Sequence, residues 1–167
     1  RSLIITAKTG TGKTLCYLLP VLNNINELNN RTQALILLPT KELANQVYAK
    51  IVELTKLNKH LRVKLLNNGD LKYYEHNIPH IIVGTPSKVE TYCNLNKSLL
   101  KVKFFVLDEA DMLIDQGFYN IILNVFNRIR THELICYAAS ATLHTSLANQ
   151  LRKVLGNCKV VSNSDSI

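Results

Sequence analysis

The 167-residue chain is 47% hydrophobic and 19% charged, and its 20 Lys and Arg against 12 Asp and Glu leave a formal charge of +8. That size and balance describe one intracellular-looking domain with a core of its own. Cys16, Cys93, Cys136 and Cys158 are widely spaced with no C-x-x-C pair, which speaks against a disulfide framework or a zinc site, and no apolar run approaches the roughly 18 residues of a membrane span. The basic excess favours an anionic partner, commonly nucleic acid, without settling it.

The chain opens on a short apolar run, Leu3-Ile4-Ile5-Thr6, which reads as a strand. Ala7-Lys8-Thr9-Gly10-Thr11-Gly12-Lys13-Thr14 follows, and then an apolar stretch of helical character through Leu15, Leu18, Leu19 and Leu22. Strand, glycine loop and helix in that order can cradle phosphate. Gly10 and Gly12 tolerate positive φ and leave room for phosphate oxygens, so backbone N–H groups converge on them at the positive end of a helix. Ala7, Thr9, Gly10, Thr11, Gly12, Lys13 and Thr14 are the expected nucleotide contacts. Lys13 supplies a charge to the β- and γ-phosphates and Thr14 a hydroxyl to Mg²⁺. The competing reading is a plain glycine-rich turn before a helix.

The asparagines at 23, 24, 26, 29 and 30 suit turns. A second strand, Ala34 to Leu38, leads into Pro39-Thr40-Lys41-Glu42, which reads as a helix start, and Leu43, Val47, Ile51 and Leu54 continue it as an apolar stripe. Val63 to Leu66 is a third strand, followed by Asn67-Asn68-Gly69. Ile81 to Val83 is a fourth, followed by another helix start at Thr85-Pro86-Ser87-Lys88. Helix N-termini receive phosphates readily, although ordinary capping is the simpler account of either segment standing alone.

Val102 to Leu107 runs straight into Asp108-Glu109-Ala110-Asp111. A buried strand that delivers an acidic pair at its carboxyl end suits a nucleotide site. Asp108 can hold the water shell of Mg²⁺ opposite Thr14, and Glu109 can orient and deprotonate the water that attacks the γ-phosphate. Helix capping is the other account. Both can hold, with Asp111 capping toward Met112. Ile135 to Ala139 is a further strand, ahead of Ser140-Ala141-Thr142. Leu147, Leu151, Val154 and Leu155 mark a last helix, and Lys159 to Val161 a last strand. The five histidines are expected on loops or at the surface, and Tyr73 and Tyr74 in packing or exposure.

Near-continuous apolar runs alternating with amphipathic helices predict an α/β domain. Its mainly parallel sheet has about seven strands and helices on both faces, with ligands outside the strands' carboxyl ends.

Taken together, these segments resemble the first RecA-like domain of a DEAD-box ATP-dependent RNA helicase, with a P-loop NTPase fold. Asp108 to Asp111 spells D-E-A-D. Pro39 to Gln46 is similar to P-T-R-E-L-A-x-Q with Lys41 for Arg, and Thr85 to Lys88 to T-P-G-R with Ser87 and Lys88 departing. Ser140 to Thr142 matches S-A-T, Asp115 to Phe118 resembles D-x-G-F, and Asn68-Gly69 stands where the double glycine belongs. The resemblance spans essentially the whole chain.

The resemblance implies ATP and Mg²⁺ as cofactors, with Lys13, Asp108 and Glu109 catalytic and Thr14 and Asp108 at the metal. It implies that Ser140, Ala141 and Thr142 link to Asp111 and couple hydrolysis to strand separation. It also implies that Pro39, Thr40, Lys41, Glu42, Gly69, Thr85, Pro86, Ser87 and Lys88 grip the RNA sugar-phosphate backbone without reading bases. Lys41 and Lys88 keep a charge but lose the planar fork of Arg, and Ser87 adds a Cβ, so a looser grip is expected. The expected partners are RNA and a second RecA-like domain of the same polypeptide beyond Ile167, and the adenine-reading segment would precede Arg1. Without those parts, nucleotide binding is expected to be poor and hydrolysis very slow, since arginine fingers are worth roughly a thousandfold or more. The location implied is the nucleus, nucleolus or cytoplasm, with no membrane.

Other P-loop classes fit less well. Asn96-Lys97-Ser98-Leu99 lacks the Asp of a guanine-binding N-K-x-D, and Asp111 stands where a D-E-A-H helicase has His. A non-unwinding, ATP-gated RNA clamp or scaffold stays open.

Overall fold

A computed structural model describes residues 2–7 and 11–162. Its strands are β1 (Leu3–Thr6), β2 (Thr32–Leu37), β3 (Val63–Leu65), β4 (Ile81–Gly84), β5 (Leu100–Leu107), β6 (Ile135–Ser140) and β7 (Lys159–Ser162). They form one parallel sheet in the order β3-β4-β2-β5-β6-β1-β7, which matches the expected architecture and strand number. The helices are α1 (Thr11–Asn23), α2 (Lys41–Leu54), α3 (Pro86–Leu95), α4 (Ala110–Asp115), α5 (Tyr119–Ile129) and α6 (Thr145–Leu155).

The unbroken apolar runs follow from burial on both sides. On β5, Phe104 and Val106 join a cluster with Tyr17, Leu18 and Val21 of α1 and Val47 and Ile51 of α2. Phe105 and Leu107 pack into the opposite cluster with Val89 and Tyr92 of α3, Ile122 and Val125 of α5, and Leu147 and Leu151 of α6. Each such side chain, fully buried, contributes about 1.5–3 kcal/mol. β7 is different, because all four of its residues are exposed at the edge of the sheet.

Two of the histidines, both on loops as expected, have structural roles there. His80 is fully buried. Its Nδ1 accepts the Arg62 backbone N–H at 3.0 Å and its Nε2 lies 3.2 Å from the Glu27 carbonyl, so it ties three loops together at the amino ends of β2 to β4. Burial first, and then the Arg62 charge, push its pKa down. His144 caps α6, its Nδ1 accepting the Leu147 N–H at 3.2 Å. The His80 contacts do not show in residue spacing, because its partners are brought by the fold, whereas the His144 cap is a local contact three residues along.

The Asp115-Gln116-Gly117-Phe118 segment has a local explanation. Gly117 sits at φ 84° and its N–H donates to the Ile114 carbonyl, while the Phe118 N–H donates to Leu113. This closes α4 with the pair of bonds that a left-handed glycine permits, and lets α5 start in a new direction. None of the four cysteines is joined in a disulfide. Among the described residues no helix is long and apolar enough to cross a membrane, and no cluster of metal-ligating side chains is found.

Candidate functional site

All seven strands point the same way, so the segments after β1, β2, β4, β5 and β6 converge on one edge. The register sets Leu37 beside Gly84 and Leu107, Leu107 beside Ala138, and Thr6 beside Ser140. The strand that precedes the glycine loop and the strand that ends at Asp108 are thus separated only by β6. Between them and α2 lies a cavity of about 210 Å³ lined by Lys13, Thr14, Asp108 and Glu109 together with Leu38, just after β2, and residues of α2.

Ala7 is nearly buried, and its N–H reaches the Ser140 carbonyl at 3.4 Å. Thr9 and Gly10 lie outside the described residues, as does the side chain of Thr11, whose backbone begins α1. Gly12 belongs to the first turn of α1 and does not use positive φ, contrary to the expectation of a glycine-specific loop conformation there. Lys13, next along that turn, is only 3% exposed although charged. Burial of a lysine is tolerable when anionic groups face it, and here Asp108 and Glu109 do.

Asp108 is held from two sides. Its Oδ2 accepts the Tyr17 hydroxyl at 2.7 Å and its Oδ1 accepts the Glu109 N–H at 2.8 Å. Burial raises its pKa, while those two donors and the Lys13 charge favour the ionised form. Burial also raises Glu109, with Lys13 opposing and Asp108 and Asp111 reinforcing the rise. The Tyr17 phenol is fully buried, and burial followed by the Asp108 charge pushes its pKa well up, so it stays a proton donor.

Glu109 occupies the left-handed region at φ 51°, ψ 48°. A non-glycine residue there costs of order 1–3 kcal/mol, and such strain gathers at functional sites. The kink turns the chain from β5 into α4 within one residue. Neither Glu109 nor Asp108 accepts a capping bond from α4.

Asp111 contacts both Met112 and Thr142. Its Oδ1 accepts the Met112 N–H at 2.9 Å, and its Oδ2 accepts the Thr142 hydroxyl at 2.9 Å. Ser140 differs from the expectation that it too bonds the acidic segment. It is fully buried and donates to the Thr142 carbonyl at 2.6 Å, so it braces Thr142 and reaches Asp111 only through it. Ala141 is exposed between them.

The two expected phosphate-gripping helix starts lie side by side, because Leu38 donates its N–H to the Gly84 carbonyl at 3.1 Å. Thr40 caps α2, its hydroxyl accepting the Leu43 N–H at 3.2 Å, behind a buried Pro39 and ahead of exposed Lys41 and Glu42. Thr85 precedes α3 without a side-chain cap. Pro86 is buried, Ser87 exposed and Lys88 half-buried. Gly69 lies in a short helical turn, Asn68–Asp70, with open space where a Cβ would stand.

Sequence reasoning missed Tyr17, Leu38, Leu43, Gln46, Val47 and Lys50 as parts of the site. A signal existed for some of them. Tyr17 lies four residues after Lys13 and so on the same face of α1, and Leu43, Val47 and Lys50 share one face of α2.

With the geometry in place, comparison with known proteins is informative. The model of the DEAD/DEAH box helicase family matches residues 1–150. The chain is 34% identical over 160 residues to a probable ATP-dependent RNA helicase of Methanocaldococcus jannaschii, covering 93% of this chain and 43% of that protein. It is 35% identical to the DEAD-box ATP-dependent RNA helicase CshB of Listeria monocytogenes, over 93% of this chain and 37% of the relative. Among solved structures, a variant of Saccharomyces cerevisiae Dbp5 bound to RNA and ADP BeF3 superimposes with a TM-score of 0.80 at 28% identity, covering 96% of this chain and 41% of that one. The chain therefore spans about two fifths of the length of such relatives.

Proposed function

Since the chain belongs to the DEAD/DEAH box helicase family, we propose that it is the ATP-binding domain of an RNA-dependent ATPase that opens short RNA duplexes or remodels RNA–protein assemblies. The observation that supports this reading best is the single cavity where a buried Lys13 meets Asp108 and Glu109 at the shared carboxyl edge.

The residues present suit Mg²⁺. Asp108 and Glu109, with Asp111 beside them, outnumber the one buried lysine that faces the pair, and burial together with the neighbouring carboxylates disfavours charge on Asp108 and Glu109, so a divalent cation matches the deficit. The oxygens of Asp108 and Thr14 are the hard donors that would hold it. Bound there, the ion supplies charge neutralisation on the phosphates.

Lys13 binds the phosphate chain as a point charge, and the N-terminus of α1 adds its N–H groups and dipole. Glu109 orients a water against the γ-phosphorus and takes one of its protons on a carboxylate oxygen. The bond from γ-phosphorus to the bridging oxygen of ADP breaks as the new one forms. Its raised pKa suits a carboxylate asked to accept a proton. Tyr17 and the Glu109 N–H fix Asp108 so that little reorganisation is needed. Thr142, braced by Ser140, senses the acidic segment through Asp111 and can relay its state toward the RNA edge.

Pro39 to Glu42, Gly69 and Thr85 to Lys88 hold one RNA strand by its backbone, and a second RecA-like domain completes the ATP site. The chain alone then binds nucleotide poorly and turns it over very slowly.

The test is steady-state ATP hydrolysis by the full-length protein with single-stranded RNA, with DNA and without either, beside Glu109→Gln. RNA stimulation that DNA does not match, abolished in the variant with ATP binding kept, is the expected result. ATP binding with turnover indifferent to RNA would replace this reading with that of a non-unwinding clamp.

A further inference from the structure

At the end of the sheet opposite the ATP cavity, the amino end of β5 and the turn from α5 into β6 enclose a groove of about 620 Å³. Lys97, Lys101, Lys103, Arg128, Arg130 and His132 line it, with Glu133 as the one carboxylate. Five cations against one carboxylate put half of the chain's formal +8 on this groove. All five are exposed, and among the described residues none forms an ion pair, whereas Lys50 and Lys64 do. Most of β5 is buried, yet Lys101 and Lys103 are exposed. A break in register falls at the same place, where β2 advances from Thr32 to Ala34 while β5 advances from Leu100 to Phe104. Such a bulge re-aims side chains out of the sheet.

We infer that this groove is a second RNA-binding surface, one that takes the sugar-phosphate backbone. The inference rests on the reading of RNA as the ligand of the opposite edge. Seven residues of extended strand separate Lys101 from Asp108, roughly 23 Å, so RNA here is held apart from the site where ATP acts. No Phe, Tyr or Trp is among the described residues that line the groove, so its lining offers charge for phosphates rather than a broad platform for bases. Contact with phosphates alone is insensitive to sequence and steeply dependent on salt. A long RNA that leaves the first site and returns to this groove is tethered through the opening cycle, and the gain is one of effective concentration.

The experiment uses the full-length protein and two fluorescein-labelled single-stranded oligo(U) probes, one long enough to reach both ends of the sheet and one that fills a single site. The double variant Lys101→Gln, Arg130→Gln is expected to keep basal and short-RNA-stimulated ATP hydrolysis and to lose the affinity advantage of the long probe. Its slope of log affinity against log salt should be shallower by about 1.4, at about 0.7 per phosphate contact removed. The charge-preserving pair Lys101→Arg, Arg130→Lys should restore both. Unchanged long-probe affinity and slope in the Gln variant, with wild-type RNA binding intact, overturn the groove alone. Failure of the wild type to bind either probe, with no RNA effect on hydrolysis, overturns the functional reading and this inference together.

Discussion

Tyr17→Phe isolates one atom. The ring stays in the core, and only the hydroxyl that donates to Asp108 Oδ2 at 2.7 Å is lost. A hydrogen bond to an ionised group is worth about 1.5–3 kcal/mol, and the Glu109 N–H still holds the other oxygen, so the chain should lose about 2 kcal/mol at neutral pH. The pH dependence carries the sharper signature. Burial raises the Asp108 pKa in the folded state, so the contribution of this group is full below its unfolded pKa and is lost as pH rises through the folded one. Removing a donor that favours the ionised form raises the folded pKa further. The deficit of the variant must therefore be largest at neutral pH and shrink as acid protonates Asp108. Urea unfolding of both chains across that range measures it, and Mg²⁺-dependent ATP hydrolysis by the full-length protein should show a weakened response to the metal. A deficit below about 0.5 kcal/mol that does not change with pH would refute the claim that Tyr17 holds Asp108 in its working state.

Gly117→Ala should cost about 1–2 kcal/mol through its positive φ alone, because no atom stands where the new Cβ would go, and thermal unfolding reads that cost directly. Thr40→Ala removes the cap of α2 and should cost about 1 kcal/mol in urea, while Thr40→Ser should cost much less. His80 is lowered in the fold, so its contribution is full above its unfolded pKa near 6.5 and is lost as pH falls through the folded value. Stability below about pH 6.5 should then decline by at most about 1.4 kcal/mol per pH unit for this group, and His80→Gln should flatten that part of the curve.

The chain order of apolar runs and amphipathic stripes was enough to place seven strands and several of the helices between them, because a strand covered on both faces must be apolar throughout and a helix lying on it need be so on one side only. The phosphate loop and the acidic tetrad were legible for a related reason. Their chemistry sits on consecutive residues, so spacing along the chain is also spacing in space. Tyr17 was not legible as a partner of Asp108, since 91 residues separate them and only the order β5-β6-β1 brings α1 against the end of β5. The left-handed backbone of Glu109, the buried bonds of His80 and the gathering of Lys101, Lys103, Arg128 and Arg130 at one end of the sheet likewise belong to the fold. Local propensity acts over a few residues, whereas burial, pKa and charge clustering are decided by whatever distant segment packs alongside, and that information is held by the tertiary structure.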